Sequence, residues 1–353
     1  MTISCLMTLV ANRITLFTFL KASLLMQVSL LFLWGCNSSN DYQQFSGSTM
    51  GSTYHITANL GQGQSRERVQ EVIDRALREI DESMSTYRND SQISRFNLAG
   101  LQAQVEVSAD FLQVLDISYK VYHQSGGVFD PTIGPLVDLW GFGSRQSLNQ
   151  MQKIPDPAAI EATKARLGFL SLGRSGDKIW KTLPVEIDFS AVAPGYAADK
   201  LARLFSEMGI ADYMVEIAGE IATHGKSPRR TPWRIGIEIP AQLRGKIQAA
   251  VDLGDAHLAT SGDYRNYYEV DGVRYCHEID PRTGYPVRNR LASVTVLADS
   301  TGASDAWATA MMVLGEKEGF ALAEKLQLAA YFIFRTDTGF DVRYTEPMRK
   351  YLE

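Results

Sequence analysis

The chain has 353 residues, 45% of them hydrophobic and 21% charged, with a formal net charge of −5. That length holds one large domain or two modest ones around a sizeable core. The acidic balance argues against the broad basic footprint that general nucleic-acid binding requires. Three cysteines, Cys5, Cys36 and Cys276, with no CxxC pair, exclude a disulfide framework and a zinc knuckle.

Arg13 and Lys21 precede an apolar run from Ala22 to Trp34, and Leu33-Trp34-Gly35-Cys36 closes that run before a polar stretch. A basic flank, a short apolar core and a small residue before the cut read as a secretory signal. The run is shorter than the ~20 residues a spanning helix needs. Leu-x-Gly-Cys is similar to a bacterial lipobox, so Cys36 is expected to carry lipid and to become the first residue. Residues 1–35 then form a signal peptide, 36–45 a lipidated tether and 46–353 a single catalytic unit.

Val69, Val72, Ile73, Ala76, Leu77, Ile80 and Met84 recur at helical spacing and predict an amphipathic helix over 67–84. Ser108 is placed to cap a second helix that reaches 124 and ends at Gly126-Gly127. Asp156-Pro157 opens a short helix that Gly168 closes. Further helices are predicted over 194–208, stopped by Gly209, and over 302–314, stopped by Gly315. Strands gather in the second half, at 213–217, 233–239, 249–253 and 291–297. Strands 267–270 and 273–279 flank Asp271-Gly272, a strong hairpin signal. Hairpins imply antiparallel pairing, and no regular βαβ alternation appears, so the fold class is α+β with mixed or antiparallel sheets and packed helices.

Several familiar chemistries lack their motifs. No GxGxxG follows a strand, no GxSxG elbow occurs and no HExxH is present. The stretch from Gly219 to Ser227 imitates a phosphate-binding loop but has one residue too many between its glycines.

Four segments carry chemistry-bearing residues. Asp305 and Thr309 sit four apart on a predicted helix, which stacks a carboxylate and a hydroxyl on one face. Both are hard oxygen donors, suited to Mg²⁺. The segment Phe129-Asp130-Pro131-Thr132-Ile133-Gly134-Pro135 reads as a stiff loop after a glycine pair. The segment from Asp188 to Tyr196 leads from a strand into a helix N-terminus, a place that attracts phosphate. His277 leads into the turn-rich Glu278-Ile279-Asp280-Pro281-Arg282-Thr283-Gly284, and histidine is the natural proton acceptor near neutral pH. Taken singly, each segment is better read as ordinary structure: a solvated acid, a plain turn, a strand-to-helix corner, a histidine holding a loop.

Taken together and in order, they resemble one family. The matching pieces are Thr49-Met50-Gly51-Ser52-Thr53-Tyr54, the run from Met84 to Asn97, the stretches 129–143 and 188–199, the run from Thr260 to Tyr268, the run from His277 to Gly284, and Ser304-Asp305-Ala306-Trp307-Ala308-Thr309. The chain resembles the ApbE family of FAD:protein FMN transferases over about residues 46–350. The resemblance implies a T-fold-related catalytic unit that binds FAD and Mg²⁺ and attaches FMN by a phosphoester to a threonine or serine of a target protein, releasing AMP. Targets of such enzymes are subunits of sodium-pumping NADH:quinone reductase and Rnf-type redox complexes. Many bacterial members are exported lipoproteins, which would place this one in the cell envelope, facing the periplasm and anchored to the inner or outer membrane.

Carried over position by position, the resemblance implies flavin contacts at Met50, Tyr87, Val128, Phe129, Asp130, Asp188 and Ile279. It implies metal contacts at Ala191 through its carbonyl, at Asp305, near Ala308 and at Thr309. His277 is then the base or the residue that positions the acceptor, and Asp280 orients its loop. Two departures stand out. Pro194 replaces the lysine or glutamate of many members at a cofactor-binding position, and Ala218-Gly219-Glu220 replaces a Gly-Gly-Asp-like turn. Two other readings use the same residues: an FAD pyrophosphatase with water as nucleophile, and a flavin-carrying lipoprotein without catalysis.

Overall fold

A computed structural model describes residues 41–143, 154–239, 247–264 and 266–352. The expected signal peptide and residues 36–40 of the tether, Cys36 among them, lie outside the described residues, as does Arg265 in the run from Thr260 to Tyr268. No helix among the described residues is long and apolar enough to cross a membrane.

In chain order the elements are β1 (Tyr42–Thr49), β2 (Ser52–Asn59), α1 (Arg66–Met84), α2 (Gln92–Leu98), β3 (Val105–Glu106), α3 (Ala109–Gln124), α4 (Gly134–Leu139), α5 (Pro157–Lys164), β4 (Leu172–Ser175), β5 (Lys178–Lys181) and α6 (Ala193–Glu207). The second half adds β6 (Tyr213–Ile217), β7 (Glu220–His224), β8 (Trp233–Glu238), β9 (Ile247–Leu253), β10 (Ala256–Gly262), β11 (Tyr267–Val270), β12 (Val273–Cys276), β13 (Ile279–Asp280), β14 (Tyr285–Pro286), β15 (Leu291–Leu297), α7 (Thr301–Lys325), β16 (Ala329–Thr336) and β17 (Gly339–Tyr344).

An eight-stranded sheet runs in the order β1-β2-β6-β7-β10-β15-β16-β17, with antiparallel neighbours throughout. The α+β expectation holds. Every residue of β15 is buried, because both faces of the sheet are covered there. On one face α1, α3, α6 and α7 contribute to the main core around Phe111, Phe189, Phe205 and Phe332. On the other, the β8–β9 hairpin and the C-terminal turn pack Trp233, Val251, Leu253 and Met348 against Leu258, Leu297 and Ile333. A third, smaller cluster joins Leu136 and Trp140 at the end of α4 to Ile160, Tyr275 and Ile279.

Local signals were legible where they act locally. Ser65, Ser108 and Asp156 each accept a backbone N–H at the start of α1, α3 and α5, as N-cap residues do for about 1 kcal/mol each. Asp271 and Gly272 both take positive φ, 50° and 74°, the geometry of a two-residue hairpin turn. The helical run beginning at Thr301 breaks at Gly315, where φ is 78° and ψ −175°. The Asn289 side-chain amide donates to the Met312 carbonyl at that break.

Four expectations need correction. Residues 42–45, assigned to the tether, belong to β1, and Phe45 is fully buried. The short helix α5 ends at Lys164, before Gly168, because the Arg166 and Leu167 amides turn back only three residues, onto the Thr163 and Lys164 carbonyls. The strand expected over 273–279 stops at Cys276, bends at His277 and Glu278, and resumes as β13. The β1–β2 hairpin and strands β7, β10, β16 and β17 were not anticipated. Their mixed polar and apolar residues become strand only through pairing across the sheet.

Candidate active site

The first turns of α7 are apolar on nearly every side. Ala303, Ala306, Trp307, Ala308, Ala310, Met311 and Met312 are all buried. Asp305 sits among them and is buried itself. Its Oδ2 accepts one hydrogen bond, 3.3 Å from the Gly195 backbone N. Burial, with a further contribution from the charge of Asp199, pushes its carboxyl up to about 7 from the usual 3.8. A carboxylate so enclosed is costly unless a cation or further donors complete it.

Thr309 lies one turn further along α7, and its Oγ1 is 3.3 Å from Oγ of Ser261 on β10. The pair predicted from spacing is therefore joined by a third oxygen from the sheet. Ala191 lies just ahead of α6. Tyr196 N donates to the Val192 carbonyl four residues back, whereas Gly195 N turns to Asp305 and not to the Ala191 carbonyl. Asp305 and Thr309, with Ser261 Oγ beside Thr309, are hard oxygen donors with one carboxylate among them, of the kind that suits Mg²⁺. Ala308 is fully buried in the main core and offers no side-chain ligand. Among the described residues no cluster of three or more His, Cys, Asp or Glu forms a metal site.

Glycine is required at 195. A Cβ there would lie 2.5 Å from the Thr301 carbonyl oxygen and 2.9 Å from Gly302 Cα. Its absence lets the head of α6 rest on the head of α7. Asp199, one turn along α6, then accepts the Thr301 and Gly302 amides at 2.8 and 2.9 Å. The expectation of free phosphate-binding amides at the head of α6 is not met. Ala193 N donates to the Phe189 carbonyl, Pro194 has no N–H, and Gly195 N is taken by Asp305.

The loop after Gly126-Gly127 is held from within. Asp130 Oδ1 accepts from Thr132 N and Thr132 Oγ1 at 2.8 and 2.6 Å, and burial raises the Asp130 carboxyl above its usual range. Val128 and Phe129 are buried. Asp188 joins this loop, since its N donates to the Pro131 carbonyl at 2.8 Å and its Cβ faces Gly134. Tyr87 lies beside it. Its ring is 76% exposed, and desolvation followed by the charges of Asp188 and Asp138 raises its phenol. An exposed aromatic ring next to a stiff loop is a platform on which a flat heterocycle can stack.

Met50 sits in the β1–β2 turn at φ 51°, packed against the core cluster that includes Phe129. The turn meets 218–220, since Ala218 N donates to the Thr53 carbonyl. Ala218 itself adopts φ 59°, ahead of Gly219 at 112° and the buried Glu220.

Ile279 packs with α4 in the third cluster, and Trp140 Nε1 donates to the Gly284 carbonyl at 2.8 Å. These contacts dock the loop 277–284 on the segment that follows Asp130. Asp280 ties the loop internally, accepting from Arg282 N at 2.9 Å and from the Arg282 guanidinium. His277 is half exposed at its edge, with Phe142 packed edge-on 6.4 Å away. Cys276 beside it is buried, and burial pushes its thiol up, so it is an inert core residue.

Two surface clefts, of about 470 and 350 Å³, meet at His257 and Asp299, and neither is lined by Asp305, Thr309, Tyr87 or His277. Ser261, Gly195 and Asp199, which contact Thr309, Asp305 and the head of α7, were not singled out from the sequence, although all three lie in segments quoted for the resemblance.

The family model described as "ApbE family" matches residues 50–332. The chain is 41% identical over 314 residues to the FAD:protein FMN transferase of Vibrio cholerae serotype O1, covering 88% of this chain and 93% of that one. Among solved structures it is similar to the flavin transferase ApbE from Vibrio cholerae, with TM-score 0.82 and 39% identity over 88% of this chain and 99% of that one. It is likewise similar to the Pseudomonas stutzeri flavinyl transferase ApbE in its apo form, with TM-score 0.82 and 36% identity over 88% and 96% of the two chains.

Proposed function

The chain belongs to the ApbE family, and on that premise we propose that its transfer of FMN from FAD to a target protein uses magnesium at the Asp305–Thr309 centre and ends on a threonine hydroxyl. The observation that carries this reading is the enclosure of Asp305, a buried carboxylate with one long backbone hydrogen bond, one turn from Thr309. A bound Mg²⁺ would neutralise the pyrophosphate and polarise the bond to the leaving group.

The protein's own residues do the rest. Tyr87 and the 128–130 loop hold the isoalloxazine end of FAD, with Asp188 fixing the loop. The head of α6 has spent its amides on Phe189 and Asp305, so a Mg²⁺ held by the α7 oxygens, and not a helix N-terminus, would hold the phosphate. His277 takes the proton of the attacking hydroxyl. The new bond joins the threonine oxygen to the phosphorus on the FMN side, the bond from that phosphorus to the bridging oxygen breaks, and AMP leaves with the electron pair. A positioned base contributes about 10²–10⁴-fold to such a step.

Cys36 in the Leu-Trp-Gly-Cys sequence supports lipidation and a place in the bacterial envelope facing the periplasm. The acceptors in this reading are threonine-bearing subunits of NADH:quinone reductase or Rnf-type complexes. The test incubates the soluble body from Asn37 with FAD, Mg²⁺ and such a subunit, and follows in-gel flavin fluorescence and AMP. Fluorescent acceptor that depends on Mg²⁺ and on Asp305 supports the reading. AMP formed at full rate without acceptor would sink transfer in favour of hydrolysis.

A further inference from the structure

Glu278 is the second enclosed carboxylate of this region, and the reaction described above leaves it without a task. Its side chain is 3% exposed. Among the described residues neither carboxylate oxygen has a hydrogen-bond donor. A buried carboxylate without donors is among the most costly placements in a fold. The titratable groups that act on it are His277, Cys276 and Asp263. Cys276 turns its thiol to the Glu278 and Val287 carbonyls at 3.8 and 3.6 Å. Asp263 is already held by the Arg335 guanidinium at 2.9 and 2.5 Å. Of these groups only the His277 ring can become positive, and its Nδ1 is 3.3 Å from Glu278 Oε2.

The same ring nitrogen is 3.3 Å from the Asn266 carbonyl oxygen. A carbonyl can only accept, and so can an ionised carboxylate. Two acceptors around one ring nitrogen require the proton on Nδ1, which leaves the lone pair on Nε2. The distance to Glu278 is that of an ion pair, not of an aligned hydrogen bond, so the carboxylate acts mainly through its charge.

We propose that Glu278 is the positioning residue of the transfer reaction, holding His277 in the Nδ1-protonated tautomer and stabilising the imidazolium that forms when Nε2 takes the acceptor proton. The inference rests on His277 being the base. In the step, the acceptor O–H bond breaks and its proton goes to Nε2, while the O–P bond to FMN forms and the P–O bond to AMP breaks. Glu278 exchanges no proton. Burial raises its own carboxyl and the nearby imidazole opposes that rise, so the carboxylate gains most at the moment the ring becomes positive. The logic is that of the buried acid behind a catalytic histidine.

The experiment compares full-chain Glu278→Gln, Glu278→Leu and His277→Ala with the wild type. For Glu278→Gln, kcat for FMN transfer is expected to fall roughly 10–100-fold, as for other partners that orient functional histidines. KM for FAD should stay unchanged, and the acid limb of the pH–rate profile should move to lower pH because the imidazolium has lost its counter-charge. For Glu278→Leu, Tm should rise while kcat falls, since a costly buried charge is removed. A rise in Tm with kcat and pH profile intact would overturn the proposal and leave Glu278 purely structural. His277→Ala at full rate would remove the base itself. His277→Ala inactive with Glu278→Gln unaffected would sink Glu278 alone. Nitrogen NMR of the wild-type His277 ring gives a reading that needs no variant: protonated Nδ1 is expected, and protonated Nε2 in the neutral ring overturns the proposal.

Discussion

The backbone N of Gly195 donates to Asp305 Oδ2 across 3.3 Å, joining the head of α6 to the middle of the first segment of α7. No side chain fits between these helices at that point, because the atoms in the way are the Thr301 carbonyl and Gly302 Cα. Backbone cannot swing aside as a side chain can. Gly195→Ala should therefore separate the two heads and cost about 1–3 kcal/mol, as overpacking does. Transfer should fall with it. A melting curve and an FMN-transfer assay at saturating Mg²⁺ check this, and an alanine variant with wild-type Tm and rate would mean that the helices tolerate a wider approach.

Asp305 also sets a pH dependence in metal-free protein. Its folded carboxyl is raised to about 7 from 3.8, so between those values the folded chain binds a proton that the unfolded chain has lost. Stability then falls as pH rises from about 3.8 to about 7 and levels off above. At 1.36 kcal/mol per unit the full effect is on the order of 4 kcal/mol. Asp305→Asn should lack this slope, be more stable than wild type in EDTA at neutral pH, and lose metal-dependent transfer. Tm against pH in EDTA for the two proteins tests it; parallel curves would contradict the enclosure of this carboxylate.

Thr309→Val keeps the shape of the side chain and removes the oxygen. Ser261 Oγ is left without its 3.3 Å partner, a loss of about 1 kcal/mol in stability. The larger effect is expected in the Mg²⁺ concentration needed for half-maximal transfer, which should rise about tenfold or more. Titrating Mg²⁺ against transfer rate separates a weakened metal site, where excess Mg²⁺ restores the rate, from a damaged fold, where it does not.

Trp140→Phe deletes the donor to the Gly284 carbonyl while keeping an aromatic ring in the stack with Tyr275. The loop that carries His277 loses its tie to α4. The expected cost is about 1 kcal/mol in stability, with a lower kcat and a smaller change in KM for FAD, because in the proposed reading Ile279 alone of the flavin contacts lies on this loop. A changed KM with kcat intact would show that Trp140 serves the flavin and not the histidine loop.

Lys181 offers a check on the architecture away from the chemistry. Its buried ammonium donates to the Asn97 and Val185 carbonyls, each at 2.9 Å, and desolvation lowers its pKa. Lys181→Met strands both carbonyls and should cost about 1–3 kcal/mol, with little change in transfer rate at temperatures well below Tm.

Much of this was legible in the chain. Ser108 and Asp156 announced their helices, and Asp271-Gly272 its turn, because caps and turns are decided by a few consecutive residues. The four-residue spacing of Asp305 and Thr309 was enough to place both on one face, because a helix returns every 3.6 residues whatever surrounds it. The β1–β2 hairpin and strands such as β7 and β10 were not legible. Their residues are neither strictly alternating nor continuously apolar, and they extend because neighbouring strands take their amides.

The sequence by itself determined which oxygens share a helix face, where the helices start and where the hairpin folds, since each depends on bonds within one or two turns of chain. Only the tertiary structure decided that Gly195 meets Asp305 from 110 residues away and that Ser261 meets Thr309 from 48. Those meetings depend on how α6, α7 and the sheet pack, and packing brings together groups whose separation along the chain leaves no local pattern. Packing also spent the amides at the head of α6, turning an apparent phosphate site into a brace for the carboxylate.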